Sequence, residues 1–142
     1  MKIYFAGSIR AGRDDILYYS QIINYLKKYG DVLTEHIGSP DLSEDGEKKP
    51  VRFIYRRDMN WIKGADILIA DVTQPSVGVG YEVRYAEELG KPVLCLYRID
   101  GAKKVSGMIE GNINITLKRY KSLKSIDKVL KQFFDNLYNV KP

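Results

Sequence analysis

The chain has 142 residues, 44% of them apolar and 29% charged, with a formal net charge of +5. That length supports a full core without disulfide or metal staples, and that balance excludes a disordered chain. No apolar run approaches the roughly 18–20 residues of a membrane helix, the N-terminal MKIYFAGSIR is charged too early for a signal peptide, and a lone Cys95 excludes an internal disulfide; a cytoplasmic protein is the expectation.

KIYFAG opens as a strand ending at a glycine, and DILYYSQIINYLKKYG follows with apolar residues at helical spacing and Gly30 as its stop. DVLTEH reads as a second short strand, and GSPDLSEDGEKKP as a polar, turn-rich surface loop with the composition of a mobile segment. FIYRRDMNWIKGA returns to helical spacing, with Phe53, Arg57 and Trp61 on neighbouring turns; Trp61 is read as core. ADILIADV is a continuous apolar run, as in a strand buried on both faces. YEVRYAEELG is a helix ended by glycine, VLCLYR a strand, and INITLKRY a weaker one. The lysines of LKRYKSLKSIDKVLKQ recur between Leu, Ile and Val at helical spacing, which gives an amphipathic helix with a wet basic face; no nucleic-acid motif accompanies them.

This β-α-β alternation predicts one α/β domain over residues 1–142, a Rossmann-like five-stranded parallel sheet with helices on both faces and no internal repeat. With the flavodoxin-like order 2-1-3-4-5, the strand order reverses between the first and third strands, and ligands bind beyond the carboxyl ends of strands at such a reversal. The loops leaving those strands are AGSIRAGR, residues 6–13, and VTQPSVGVGYE, the two most glycine-rich in the chain. In the first, Gly7 and Gly12 frame a phosphate-loop spacing, but Arg13-Asp14 replaces the Lys-Ser/Thr pair, so a nucleotide triphosphatase is excluded. What remains is the Gly7 backbone, the Ser8 hydroxyl, Arg10, Arg13 and a helix N-terminus, a set suited to one phosphate group. In the second loop Val83 replaces the third glycine of a dinucleotide fingerprint, which argues against hydride transfer.

Glu82 falls in the first turn of the next helix on this reading. The helix dipole there either holds the carboxylate ionised for nucleophilic attack or merely uses it to stabilise the helix. Asp58, on the helix before the third strand, supplies a second carboxyl, while Asp66 and Asp71 read as turn or cap residues. One charged carboxylate and one proton-bearing carboxyl are the minimum for cleaving a glycosidic bond with retention. Tyr4 either hydrogen-bonds the nucleophile or is an ordinary strand residue.

At these residues IYFAGSIRAGR, VLTEHIG, RDMNWIKGADILIADVTQPSVGVGYE, GKPVLCLYR and SGMI together resemble the 2′-deoxynucleoside 5′-phosphate N-hydrolase family, within the nucleoside 2-deoxyribosyltransferase superfamily. The likeness runs in order from about residue 2 to residue 111. It implies a homodimer that releases free base and 2-deoxyribose 5-phosphate from deoxynucleoside monophosphates, with no metal or organic cofactor, no nucleic-acid polymer and no membrane. Glu82 matches the nucleophile, Asp58 the carboxylate assisting base departure, and Tyr4 the tyrosine that orients the nucleophile. Gly7, Ser8, Ile9, Arg10 and Arg13, with Ala11 and Gly12 between the arginines, match the first ligand loop. Ser76 and Gly78 match the second phosphate stretch, and His36 and Ile54 the wall beside the base. Ser106 and Met108, on either side of Gly107, match residues supplied by a neighbouring subunit. Ala11 stands where the family has glycine, Gly107 loosens the SGMI loop, and the stretch between His36 and Asp58 differs in length and composition. Base exchange by a deoxyribosyltransferase, and a nucleotide-binding module without turnover, are the competing readings.

Overall fold

In the computed structural model, which describes residues 1–9, 15–43, 45–99 and 104–139, β1 (Lys2–Ala6), β3 (Ile67–Asp71) and β4 (Val93–Arg98) form the centre of the sheet, and β2 (Asp31–Val32) and β5 (Thr116–Tyr120) its edges. All neighbours run parallel in the order β2-β1-β3-β4-β5. The pleat sends alternate side chains to opposite faces. Ile3, Phe5, Ile67, Ile69, Leu94 and Leu96 pack under α1 (Ile16–Leu26) and α5 (Leu123–Asn139); Tyr4, Ala6, Leu68, Ala70, Val93 and Cys95 pack under α2 (Val51–Gly64) and α3 (Val77–Glu88). The long apolar run of β3 is buried along its whole length, as its composition predicts.

Two elements depart from the sequence reading. The second strand stops at Val32, because the Thr34 hydroxyl accepts from the Phe5 amide at 2.9 Å and donates to the Phe5 carbonyl at 2.6 Å, so a side chain takes over the ladder and Glu35–Gly38 curls into a 3₁₀ turn. SGMI is not an open loop but a single turn, α4 (Gly107–Glu110), capped by the Ser106 hydroxyl, which accepts from the Met108 amide at 3.3 Å. Asp71 is a turn residue as expected, but a buried one. It is fully buried at the end of β3, where its carboxylate accepts from the Thr73 amide at 3.0 Å and the Tyr120 hydroxyl at 2.6 Å. Burial pushes its pKa up and these donors pull it back. Asp66 does serve as a cap, accepting from the Lys2 amide at 2.7 Å.

Helix α3 also begins earlier than the pattern suggests. Ser76 is its N-cap, accepting from the Val79 amide at 3.3 Å, so Gly78 and Gly80 lie inside the helix and not in a loop. Neither has positive φ; Gly90, at φ 70°, takes the left-handed conformation that ends α3.

Removing the Tyr120 hydroxyl strands a buried carboxylate oxygen on Asp71. Tyr120→Phe is expected to lower unfolding stability by about 1–3 kcal/mol, read as a lower urea midpoint; an unchanged midpoint would show that this bond does not hold the β3–β5 end of the sheet.

Candidate active site

A cavity of about 250 Å³ opens beyond the carboxyl ends of β1 and β3, at the strand-order reversal where parallel sheets place their ligands. Gly7 and Ile9 reach it from the end of β1, Ile54 and Asp58 from α2, and Ser76, Gly78 and Glu82 from α3. Gly46 and Glu47, from the polar segment preceding α2, close the remaining side together with Val51. Gly46 has φ 82°, a conformation that favours glycine and turns the chain inward so that Glu47 faces the cavity.

The glycines have different physical reasons. A Cβ on Gly7 would meet the Tyr19 ring at 3.0 Å and the Ile37 side chain at 3.2 Å, so any side chain there requires these neighbours to give way. Gly78 and Gly80 have nothing but Ser76 Oγ, at 3.9 Å from a Gly78 Cβ, in the way. They keep the surface of α3 bare on the cavity side at Gly78 and on a second, neighbouring groove at Gly80. Each weakens the helix by about 1 kcal/mol relative to alanine.

Glu82 lies in the second turn of α3, six residues beyond the cap, and not in the first. The expectation of a low pKa fails with it. The dipole benefit is confined to the first turn, whereas burial pushes the Glu82 carboxyl up to about 8; a hydrogen bond from Tyr4 opposes the rise, Asp58 adds to it, and the more distant Arg57 charge lowers it. Tyr4 is 2% exposed in β1 and raised by the same burial and by both carboxylates, so it stays a neutral donor. Asp58 is also raised by burial, with the Arg57 hydrogen bond and charge pulling down. The pair Glu82–Asp58 therefore holds a proton up to about pH 8.

Around Asp58 stands a cluster that no sequence pattern foretells. Arg57 Nε donates to Asp58 Oδ1 at 2.9 Å, while Nη1 and Nη2 donate to the two oxygens of Glu47, both at 2.6 Å. His36 Nε2 lies 3.5 Å from Glu47 Oε2; burial lowers its pKa and Glu47 opposes this. His36 thus stands behind the cavity wall and touches it through Glu47. Trp61 is only partly buried, and the Arg57 guanidinium lies 4.6 Å from its ring centre, so the charged partner absent from the sequence reading is present. Arg57 was readable as the neighbour of Asp58. Glu47, inside an aperiodic polar stretch, carried no signal.

The other predicted residues divide. Ser8 is fully buried behind Gly7, its amide bonded to the Tyr19 hydroxyl at 3.0 Å and its own Oγ without a partner among the described residues. Arg10, Ala11, Gly12 and Arg13 lie outside the described residues. Ser106, Gly107 and Met108 do not reach the Glu82 cavity; they line the groove of about 890 Å³ on the other side of α3, which Ser76 also borders.

Comparison with known proteins follows the same lines. The family model described as nucleoside 2-deoxyribosyltransferase matches residues 3–114. The chain is 44% identical over 142 residues to a 5-hydroxymethyl-dUMP N-hydrolase of Esox lucius, covering 96% of this chain and 98% of the relative, and 43% identical over 140 residues to one of Tetraodon nigroviridis, covering 96% and 99%. Its fold is similar to that of BlsM (TM-score 0.73, 18% identity, 99% and 97% covered) and of the Clostridium botulinum CMP N-glycosidase BcmB (TM-score 0.68, 18% identity, 94% and 99% covered). With this match spanning all but the last strand and helix, and relatives alike over nearly their whole length, the chain belongs to the nucleoside 2-deoxyribosyltransferase family.

Proposed function

We propose that this protein hydrolyses the N-glycosidic bond of 2′-deoxynucleoside 5′-monophosphates, giving free base and 2-deoxyribose 5-phosphate. The observation that carries the reading is the meeting of Glu82 and Asp58 in one small cavity, with Tyr4 bonded to Glu82. The names of the relatives, hydrolases of a deoxynucleoside monophosphate, support the same substrate class.

In the reaction the proton held by the carboxyl pair moves to Asp58, leaving Glu82 charged. Glu82 attacks C1′ as the C1′–N bond breaks, and Asp58 gives its proton to the departing base. Water then attacks C1′, passes a proton to Asp58 and releases Glu82. Tyr4 holds the Glu82 carboxylate in line. The phosphate lies at the N-terminus of α3 beside Ser76 and Gly78, with Gly7, Ser8 and Ile9 on its other side; Arg10, Ala11, Gly12 and Arg13 are assigned to phosphate binding on sequence alone. Ile54 and His36, the latter through Glu47, flank the base. The reading keeps a single domain over residues 1–142 and a cytoplasmic setting, for which the lone, buried Cys95 is the support.

The active form in this reading is a homodimer. Val77 and Met108, which line the α3 groove, and Ile113, between its lining residues Asn112 and Asn114, are 93%, 85% and 95% exposed, an apolar rim suited to contact with a second copy. A second copy seated there brings its own Ser106 and Met108 to the cavity, past the shared border at Ser76.

Four measurements test this. Glu82→Ala is expected to reduce base release on the order of 10³-fold or more while nucleotide binding survives; wild-type turnover removes the nucleophile, and binding without turnover in the wild type makes the protein a binder. Exchange of bases between unphosphorylated deoxynucleosides at comparable rates makes it a transferase. The value of kcat/KM is expected to fall as pH rises through about 8, where the carboxyl pair loses its proton; a profile flat to pH 9 contradicts the assigned protonation. Met108→Asp is expected to give monomers in sedimentation and to lose activity, whereas a fully active monomer rules out a shared site.

A further inference from the structure

We infer that Arg57 is a positioning residue of this site: its guanidinium grips one oxygen of Asp58, leaves the other uncommitted for the substrate, and pins Glu47 as the opposite wall of the cavity. The inference rests on the proposed role of Asp58 in releasing the base.

The geometry is that of a side chain fixed on every side. Its Nε and Nη2 stand 2.9 and 2.8 Å from Asp58 Oδ1, and its outer edge forms the paired bonds to Glu47. Its flat face lies 4.6 Å from the Trp61 ring centre and 5.9 Å from that of Phe53. Only 13% of the side chain is exposed, against 18% for Asp58 and 15% for Glu47. Asp58 Oδ2 has no hydrogen-bond partner among the described residues, so the oxygen left over is the one able to meet a leaving base. A planar fork lying over an aromatic ring and shared by two carboxylates is an arrangement lysine does not reproduce.

The charged and titratable groups facing Asp58 are Arg57 on α2, Glu47 and His36 on the chain before α2, Glu82 on α3 and Tyr4 on β1. Three carboxyls thus surround one small cavity, and Arg57 is the cation placed between two of them. It orients Asp58 and opposes the protonation that burial and Glu47 favour. Through Glu47 it also ties a segment without regular structure to the rigid helix that carries Asp58, so both walls at the base end move as one body.

The test compares Arg57→Gln, Arg57→Lys and Glu47→Gln on monophosphates whose bases differ in leaving ability. Arg57→Gln is expected to lower kcat roughly tenfold for the poorest leaving base and little for the best, and to move the alkaline limb of kcat/KM to higher pH, because a cation beside both carboxyls is gone. Arg57→Lys keeps the limb in place but retains the base-dependent loss in kcat. Glu47→Gln, which leaves α2 intact, is expected to raise KM and to move the limb toward lower pH. An equal loss for every base with an unmoved limb in Arg57→Gln would assign Arg57 a purely structural role and overturn the inference, as would wild-type kinetics. Asp58→Asn separates this from the reading beneath it. If that variant keeps wild-type rates on poor leaving bases, the role of Asp58 fails; if it loses them while Arg57→Gln does not, only the inference about Arg57 fails.

Discussion

The removal of water from the Glu82 carboxyl is the constraint on which the site depends. A carboxylate loses several kilocalories of hydration in such a place unless neighbours replace it. Here the replacement is the Tyr4 hydroxyl, delivered from a central strand whose position is fixed by its neighbours on both sides. The donor can neither retreat nor be solvated, since Tyr4 is buried in the sheet. The carboxyl is therefore held in place by a neutral group and disfavoured as an anion, which in the proposed reaction favours attack on the sugar over idle ionisation.

The same helix serves two cavities. Glycines that would weaken α3 in isolation are tolerated because its inner face, Val79, Val83 and Ala86, is buried against the sheet, and helices in proteins draw most of their stability from such packing. The bare positions then become openings: Gly78 to the carboxyl pair, Gly80 to the groove lined by Met108. The two openings thus lie on one continuous helix.

Much of this was legible in the sequence, because strands buried on both faces and helices ended by glycine leave strong periodic marks. The run of β3, the parallel order and the location of the cavity at the reversal all followed from such marks. Where reading failed, a side chain had intervened in a way periodicity does not record. The Thr34 hydroxyl shortened β2; the Ser76 hydroxyl moved the start of α3, and with it the turn on which Glu82 lies. Burial then reversed the sign of the pKa shift expected from the dipole. The joining of Glu47 to Arg57 is a tertiary event between a turn-rich stretch and a helix ten residues on. No local pattern encodes it, nor the stacking of Arg57 on Trp61. The family resemblance located Asp58 and Glu82; which groups surround them became visible only in three dimensions.

The brevity of β2 has a consequence for how copies of this molecule meet. An edge strand with a long row of unused amides invites another sheet to extend it. Here one border offers only Asp31 and Val32 before Thr34 folds the backbone away, and the opposite border carries Lys118 and Arg119. Growth of the sheet from molecule to molecule, the first step toward fibres, is discouraged at both margins.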